Sequence, residues 1–158
     1  IHPVDAIASS TLARCADFAL DAAMSLNLPL HLERGFNEMA LGGIDGKPKL
    51  EWSTADHTAW DLWQADPERH PLPDGESWGA FSERVNRALQ SWCESGDAEH
   101  RVLIAHQGTI KAILLAALKL PAAQHSQFWL APAGCVTLWC DAQWPPMLLG
   151  INNELAAL

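Results

Sequence analysis

Arg14, Glu38 and His106 have the types and settings from which an anion site can be built. His106 closes the apolar run Arg101-Val102-Leu103-Ile104-Ala105-His106, and Gln107-Gly108-Thr109 then opens a helix carrying Ile110, Ile113, Leu114, Ala117 and Leu118. A side chain at such a junction faces free backbone N–H groups and the positive end of a helix dipole, so an anion is favoured and a phosphoryl group is the natural guest. Arg14 falls one turn into a helix that follows an earlier strand, and a guanidinium grips two phosphate oxygens at once. Glu38 stands on a loop, residues 33–46, that contains four glycines, and its carboxyl is a candidate proton donor. Taken singly, each residue also fits a structural role: a histidine ending a strand, an arginine on an amphipathic helix, a solvated loop glutamate. Their joint arrangement carries the argument.

That arrangement needs two strand–turn–helix units. The pattern predicts a short strand over residues 4–8, with the hydroxyls of Ser9-Ser10-Thr11 suited to cap a helix. The helix bears Leu12, Cys15, Ala16, Ala19, Leu20, Ala23 and Met24 at helical spacing, and Asn27 with Pro29 ends it. Residues 28–32 read as a second short strand, leading into the glycine-rich loop. A helical insertion over residues 54–65, carrying Trp60 and Trp63, gives way to a proline-rich stretch, and Trp78, Phe81, Val85, Leu89 and Trp92 mark an amphipathic helix starting at Ser77. The run 101–106 is suited to burial on both faces. Two further strands are predicted over 135–140 and 147–152. Alternating strands and helices imply an α/β fold with a largely parallel sheet and helices on both faces, in which ligands bind beyond the carboxyl ends of the strands. A single domain over residues 1–158 is expected, with residues 47–73 inserted as a cap over the substrate pocket.

Several segments resemble the histidine phosphatase, or phosphoglycerate mutase-like, superfamily. Ser9-Ser10-Thr11-Leu12-Ala13-Arg14-Cys15 is similar to its Ser-Ser-Pro-Leu-x-Arg-Ala segment, with Thr11 at the usual proline. Glu38-Met39-Ala40-Leu41-Gly42-Gly43-Ile44-Asp45-Gly46 resembles Glu-Met-Asp-Phe-Gly-x-Trp-Glu-Gly of the α-ribazole phosphatase branch, and Pro73-Asp74-Gly75-Glu76-Ser77 with Arg84-Val85 follows that branch too. Residues 102–111 are similar to Val-Leu-Val-Val-Ser-His-Gly-Gly-Val-Ile-Arg, with Gln107 at a glycine beside the phosphate. The resemblance implies a phosphomonoesterase that acts through a phosphohistidine. Arg14, His106 and Gln107 would hold the phosphate, Glu38 would donate the proton, and no metal or cofactor would be needed. It also implies a first strand ending in Arg-His-Gly, whose histidine is the nucleophile. No Arg-His-Gly occurs among the 158 residues, and His2, followed by Pro3, cannot take its place. The chain alone is therefore expected to be inactive for want of a nucleophile. The alternative is a catalytically dead pseudo-phosphatase that binds a phosphorylated ligand or protein partner.

Composition narrows the remaining classes. Nineteen acidic against ten basic residues give a formal charge of −9, which disfavours nucleic acid and anionic membranes, and no apolar run reaches the length of a membrane span. A cytoplasmic protein acting on a small phosphorylated substrate, with a homodimer as an open option, is the expectation. Cys15, Cys93, Cys135 and Cys140 form no Cys-x-x-Cys pair and read as reduced, packed side chains. His31, His57, His70, His100 and His125 lack metal-ligand spacing. Gly75-Glu76-Ser77-Trp78-Gly79, with Asp97 and His106 downstream, fits a serine hydrolase elbow on paper. The prolines before it, Pro71 and Pro73, bar the strand that such an elbow requires.

Overall fold

A computed structural model describes residues 3–141 and 143–153; Ile1 and His2 lie outside the described residues. The chain begins with strand β1 (Ala6–Ser9), helix α1 (Ala13–Leu26) and strand β2 (Leu30–Leu32). Cys15, Ala19 and Ala23 recur every four residues on the buried face of α1, and Asn27 ends the helix in the left-handed conformation that asparagine tolerates. The Ser9-Ser10-Thr11 hydroxyls do not cap α1 as expected. Leu12 is the N-cap and has no side-chain bond, because Ser10 and Thr11 turn their hydroxyls to Asn37.

The loop after β2 contains single 3-10 turns at Arg34–Phe36 and Gly42–Ile44, so it is more ordered than its glycines imply. Gly42 has φ +64°, and a Cβ there would meet the Pro73 carbonyl at 2.1 Å. Only glycine lets this loop lie against residues 73–75. Helix α2 (Thr54–Ala65) has the predicted bounds and starts on a reciprocal capping box between Ser53 and Asp56. Helix α3 (Trp78–Cys93) starts at the Ser77 cap and buries Trp78, Phe81, Val85 and Trp92. Strand β3 (Arg101–Ile104), helix α4 (Gln107–Ala117), strand β4 (Cys135–Trp139) and strand β5 (Met147–Asn153) complete the order.

Strands β2, β1 and β3 form one parallel sheet with β1 in the centre, whereas β4 and β5 form a separate antiparallel pair. The α/β expectation therefore holds, with one correction. Among the described residues β3 pairs only with β1, so it is a sheet edge and its four residues are half-buried rather than covered on both faces. The apolar side chains of Val102 to Ile104 suit a strand with neighbours on both sides, and the described residues supply one. Two of the cysteines also depart from expectation: Cys15 is buried and Cys135 half-buried, but Cys93 and Cys140 are exposed, at or beyond the ends of their elements. No helix among the described residues is long and apolar enough to cross a membrane.

The main core joins α3 and α4 to the insertion, through Met39, Ile44, Trp63, Leu72, Trp78, Phe81 and Ile113. Trp63 stacks on Trp60 with ring centroids 5.1 Å apart and meets Trp78 and His125 on its other sides. The tryptophan-rich segment is thus packed into the same core as the loop that carries Glu38.

Candidate active site

Parallel pairing makes the three candidate residues converge. The β1–α1 turn, the loop after β2 and the β3–α4 turn all leave the carboxyl ends of adjacent strands, and they bring Arg14, Glu38 and His106 respectively. His106 is the N-cap residue of α4 and is 6% exposed, so little of its ring meets water. Arg14 Nε donates to His106 Nδ1 at 3.1 Å, and His106 Nε2 lies 2.7 Å from Ser10 Oγ. Cys15 Sγ is 3.6 Å from the same Nδ1.

Glu38 sits against the start of α4, where its Oε2 accepts the Gly108 N–H at 3.1 Å and its Oε1 accepts the Met39 N–H. The positive end of α4 favours a carboxylate there, as it would favour a phosphate. Gly108 is what allows the approach, since a Cβ on it would lie 2.3 Å from Glu38 Oε1. Gly108→Ala is expected to leave stability within about 1 kcal/mol of the parent, because alanine favours helix and a carboxyl end can move. It should nevertheless break the bond from the amide at position 108 to Glu38. Solvent exchange of that amide, measured by NMR, should rise.

Gln107 is exposed at the start of α4, and one N–H of its side-chain amide donates to the Leu130 carbonyl at 3.2 Å, which leaves the second N–H for an anion. The Ser77 elbow is also settled by geometry. No strand leads into Gly75, and Ser77 Oγ accepts the Ala80 N–H as a helix cap.

The residues that fix this site were not all legible beforehand. Arg84 reaches from α3 to the Glu38 loop: Nη1 donates to the Gly35 and Asn37 carbonyls at 2.9 Å, and Nη2 donates to the Glu38 carbonyl at 3.1 Å. Glu76 holds the other edge of the guanidinium at 2.7 and 2.8 Å. Asn37 in turn links the loop to the β1–α1 turn, and Thr109 Oγ1 donates to the Phe36 carbonyl at 3.2 Å. The sequence pairs Glu76 and Arg84 at a spacing of two helical turns across a cap, but Asn37 and Ser10 are 27 residues apart and share no periodicity.

Burial, reinforced by the positive charges of Arg14 and Arg84, pushes the His106 pKa down from 6.5 to about 4. The ring is neutral at neutral pH. An unfolded chain takes up this proton near the ordinary value of about 6.5, whereas the folded chain resists it until about 4. The stabilising contribution is therefore intact above the unfolded value and is lost as pH falls through this window, by roughly 3 kcal/mol at full effect. Urea denaturation at pH 7 and pH 4.5 checks this: His106→Gln should lose less stability on acidification than the parent.

Residues 2–152 match the sequence model of the histidine phosphatase superfamily, branch 1. The chain is 32% identical over 111 residues to a candidate phosphoserine phosphatase from Hydrogenobacter thermophilus, an alignment that takes in 70% of this chain and 54% of that protein. It is 25% identical over 121 residues to the adenosylcobalamin/alpha-ribazole phosphatase of Salmonella typhimurium, covering 77% of this chain and 60% of that one. The chain thus spans little more than half the length of these curated relatives. Among solved structures, a mycobacterial glucosyl-3-phosphoglycerate phosphatase in complex with inorganic phosphate superposes with a TM-score of 0.80 at 25% identity, over 94% of this chain and 76% of that one.

Proposed function

Because this chain belongs to the histidine phosphatase superfamily, branch 1, we propose that it carries the phosphate-holding and proton-donating part of a phosphomonoesterase for a small phosphorylated metabolite. The observation that supports this best is the convergence of Arg14, Glu38 and His106 beyond the carboxyl ends of three parallel strands, with Arg14 and His106 in direct contact. Arg14 and His106 hold the transferring oxygens. Gln107 lies at the same helix start and contributes the side-chain N–H that the Leu130 carbonyl leaves unused.

The nucleophile is an imidazole on a strand ending in Arg-His-Gly, and the side of β3 that faces away from β1 is the natural seat for that strand. A strand of half-buried apolar residues that, among the described residues, pairs on one side only is a template for another strand. A histidine at its carboxyl end would then face the Arg14 and His106 side chains. Its nitrogen attacks phosphorus, a P–N bond forms, and the ester P–O bond breaks while the Glu38 carboxyl protonates the leaving oxygen. Water then attacks phosphorus, passes a proton to the Glu38 carboxylate, and frees the imidazole and inorganic phosphate. Residues 47–73 act as the cap that shapes the pocket for the alcohol part of the substrate. Their packing into one core with Met39, next to Glu38, supports this role.

A second reading takes the 158 residues by themselves, among which no Arg-His-Gly occurs. On it the chain binds a phosphorylated ligand or partner and does not hydrolyse it. Both readings require the anion site. Calorimetric titration of inorganic phosphate into the chain tests it: saturable binding is expected, weakened by a factor of roughly 10–100 in Arg14→Met, as loss of a charged hydrogen-bond donor implies. Equal binding by parent and variant would remove Arg14 from the site.

A further inference from the structure

The hydrogen bonds around His106 specify where every proton of its surroundings sits. Thr11 N–H can only donate, and it points at the Asn37 side chain at 2.9 Å, so the Asn37 atom facing it is the carbonyl oxygen. That oxygen also receives Ser10 Oγ at 2.9 Å and Thr11 Oγ1 at 3.0 Å, and an acceptor can be met by these hydroxyls only as donors. Ser10 Oγ has one proton, and Asn37 takes it. Toward its other neighbours Ser10 Oγ must accept: it receives Leu12 N–H at 3.1 Å and, at 2.7 Å, a proton from His106 Nε2. The opposite side of the ring agrees, because Arg14 Nε can only donate to Nδ1.

We infer that Asn37 is a positioning residue: by claiming the proton of Ser10 it keeps the His106 ring protonated at Nε2 and turns an unprotonated Nδ1 toward the Arg14 side of the site. This deepens the reading of an anion site but does not depend on it. The consequence concerns how a phosphoryl oxygen can be held. With Nε2–H committed to Ser10, the ring can donate to an oxygen on the Arg14 side only after Nδ1 gains a proton, taken from solvent or from the phosphate itself. Phosphate therefore binds together with one proton shared between its oxygen and Nδ1. The charged groups acting on this ring are Arg14 from α1 and Arg84 from α3; Cys15 of α1 touches it, and the Glu38 carboxylate acts in turn on Cys15 and on Lys111.

Long-range proton–nitrogen NMR of the histidine-labelled chain reads the tautomer directly. Arg14→Met removes the donor on the Nδ1 side, so the Asn37–Ser10 relay alone then sets the ring. The expected result is that Arg14→Met keeps the Nε2–H form and that adding Asn37→Ala produces a mixture of both tautomers. Arg14→Met with Asn37→Asp should restore the Nε2–H form, since an acceptor oxygen is back. If Asn37→Ala disturbs the fold, Arg14→Met with Ser10→Ala gives the same test by removing the acceptor of Nε2–H. A mixed or Nδ1–H ring in Arg14→Met alone, or an unchanged Nε2–H ring in both double variants, overturns the inference. Addition of inorganic phosphate to the parent chain separates it from the functional reading. A ring protonated at both nitrogens on saturation supports the shared-proton consequence, and saturation with a neutral Nδ1–H ring contradicts the inference. Failure to bind phosphate at all counts against the proposed function and leaves the tautomer result to decide the role of Asn37.

Discussion

Arg84→Ala should destabilise the fold by about 3 kcal/mol, the expected cost of leaving a largely buried ion pair half made. The Glu76 carboxylate, whose side chain is 20% exposed, loses its two-pronged partner. The Gly35, Asn37 and Glu38 carbonyls lose their donors at the same time. Packing is lost as well, since the guanidinium lies 4.9 Å from the Phe81 ring and Phe81 is fully buried. Arg84→Lys should recover only part of this, because an ammonium cannot serve a carboxylate and three carbonyls in one plane. Urea denaturation of the three proteins measures the ranking. A cost under about 0.5 kcal/mol for Arg84→Ala would mean that the loop keeps its position without the clamp.

Glu38→Gln, in a form of the protein extended by an Arg-His-Gly strand, should lower kcat by about 10²–10⁴, the range for loss of a general acid, with little change in KM. The loss should depend on the leaving group. An alkyl phosphate needs a proton on its departing oxygen, whereas p-nitrophenolate leaves readily without one. The variant should therefore be crippled with the alkyl ester and far less impaired with the nitrophenyl ester. Equal losses with both would assign Glu38 to holding the site rather than to proton transfer. Glutamine is a closer replacement than aspartate, because it keeps an acceptor oxygen at the same length for the Gly108 N–H and gives up only the bond from the Met39 N–H, whereas the shorter side chain of Glu38→Asp falls short of α4.

The elements were legible because local chemistry specifies them. Helical spacing on one face defines α1 and α3, and Ser53 and Ser77 supply the caps that start α2 and α3 where the pattern says. His106 could be read as the residue between an apolar strand and a helix start, and it is the N-cap of α4. What escaped was set by contacts between distant segments. Ser10 and Thr11 look like capping residues until Asn37, far along the chain, competes for their hydroxyls. The bond that ties the Gln107 side chain to the Leu130 carbonyl joins segments 23 residues apart and has no local pattern behind it. The half-burial of β3 has a related reason: composition reports what surface a strand is built to cover, and pairing decides whether a neighbour covers it.

The measurement that bears most directly on the account is phosphomonoester hydrolysis by two forms side by side, this chain and the same chain extended at its N-terminus by a strand ending in Arg-His-Gly. The prediction is no turnover by the 158-residue chain, turnover by the extended form, and loss of that turnover on His106→Ala or on removal of the added histidine. Equal hydrolysis by the short chain, unaffected by His106→Ala, would contradict it.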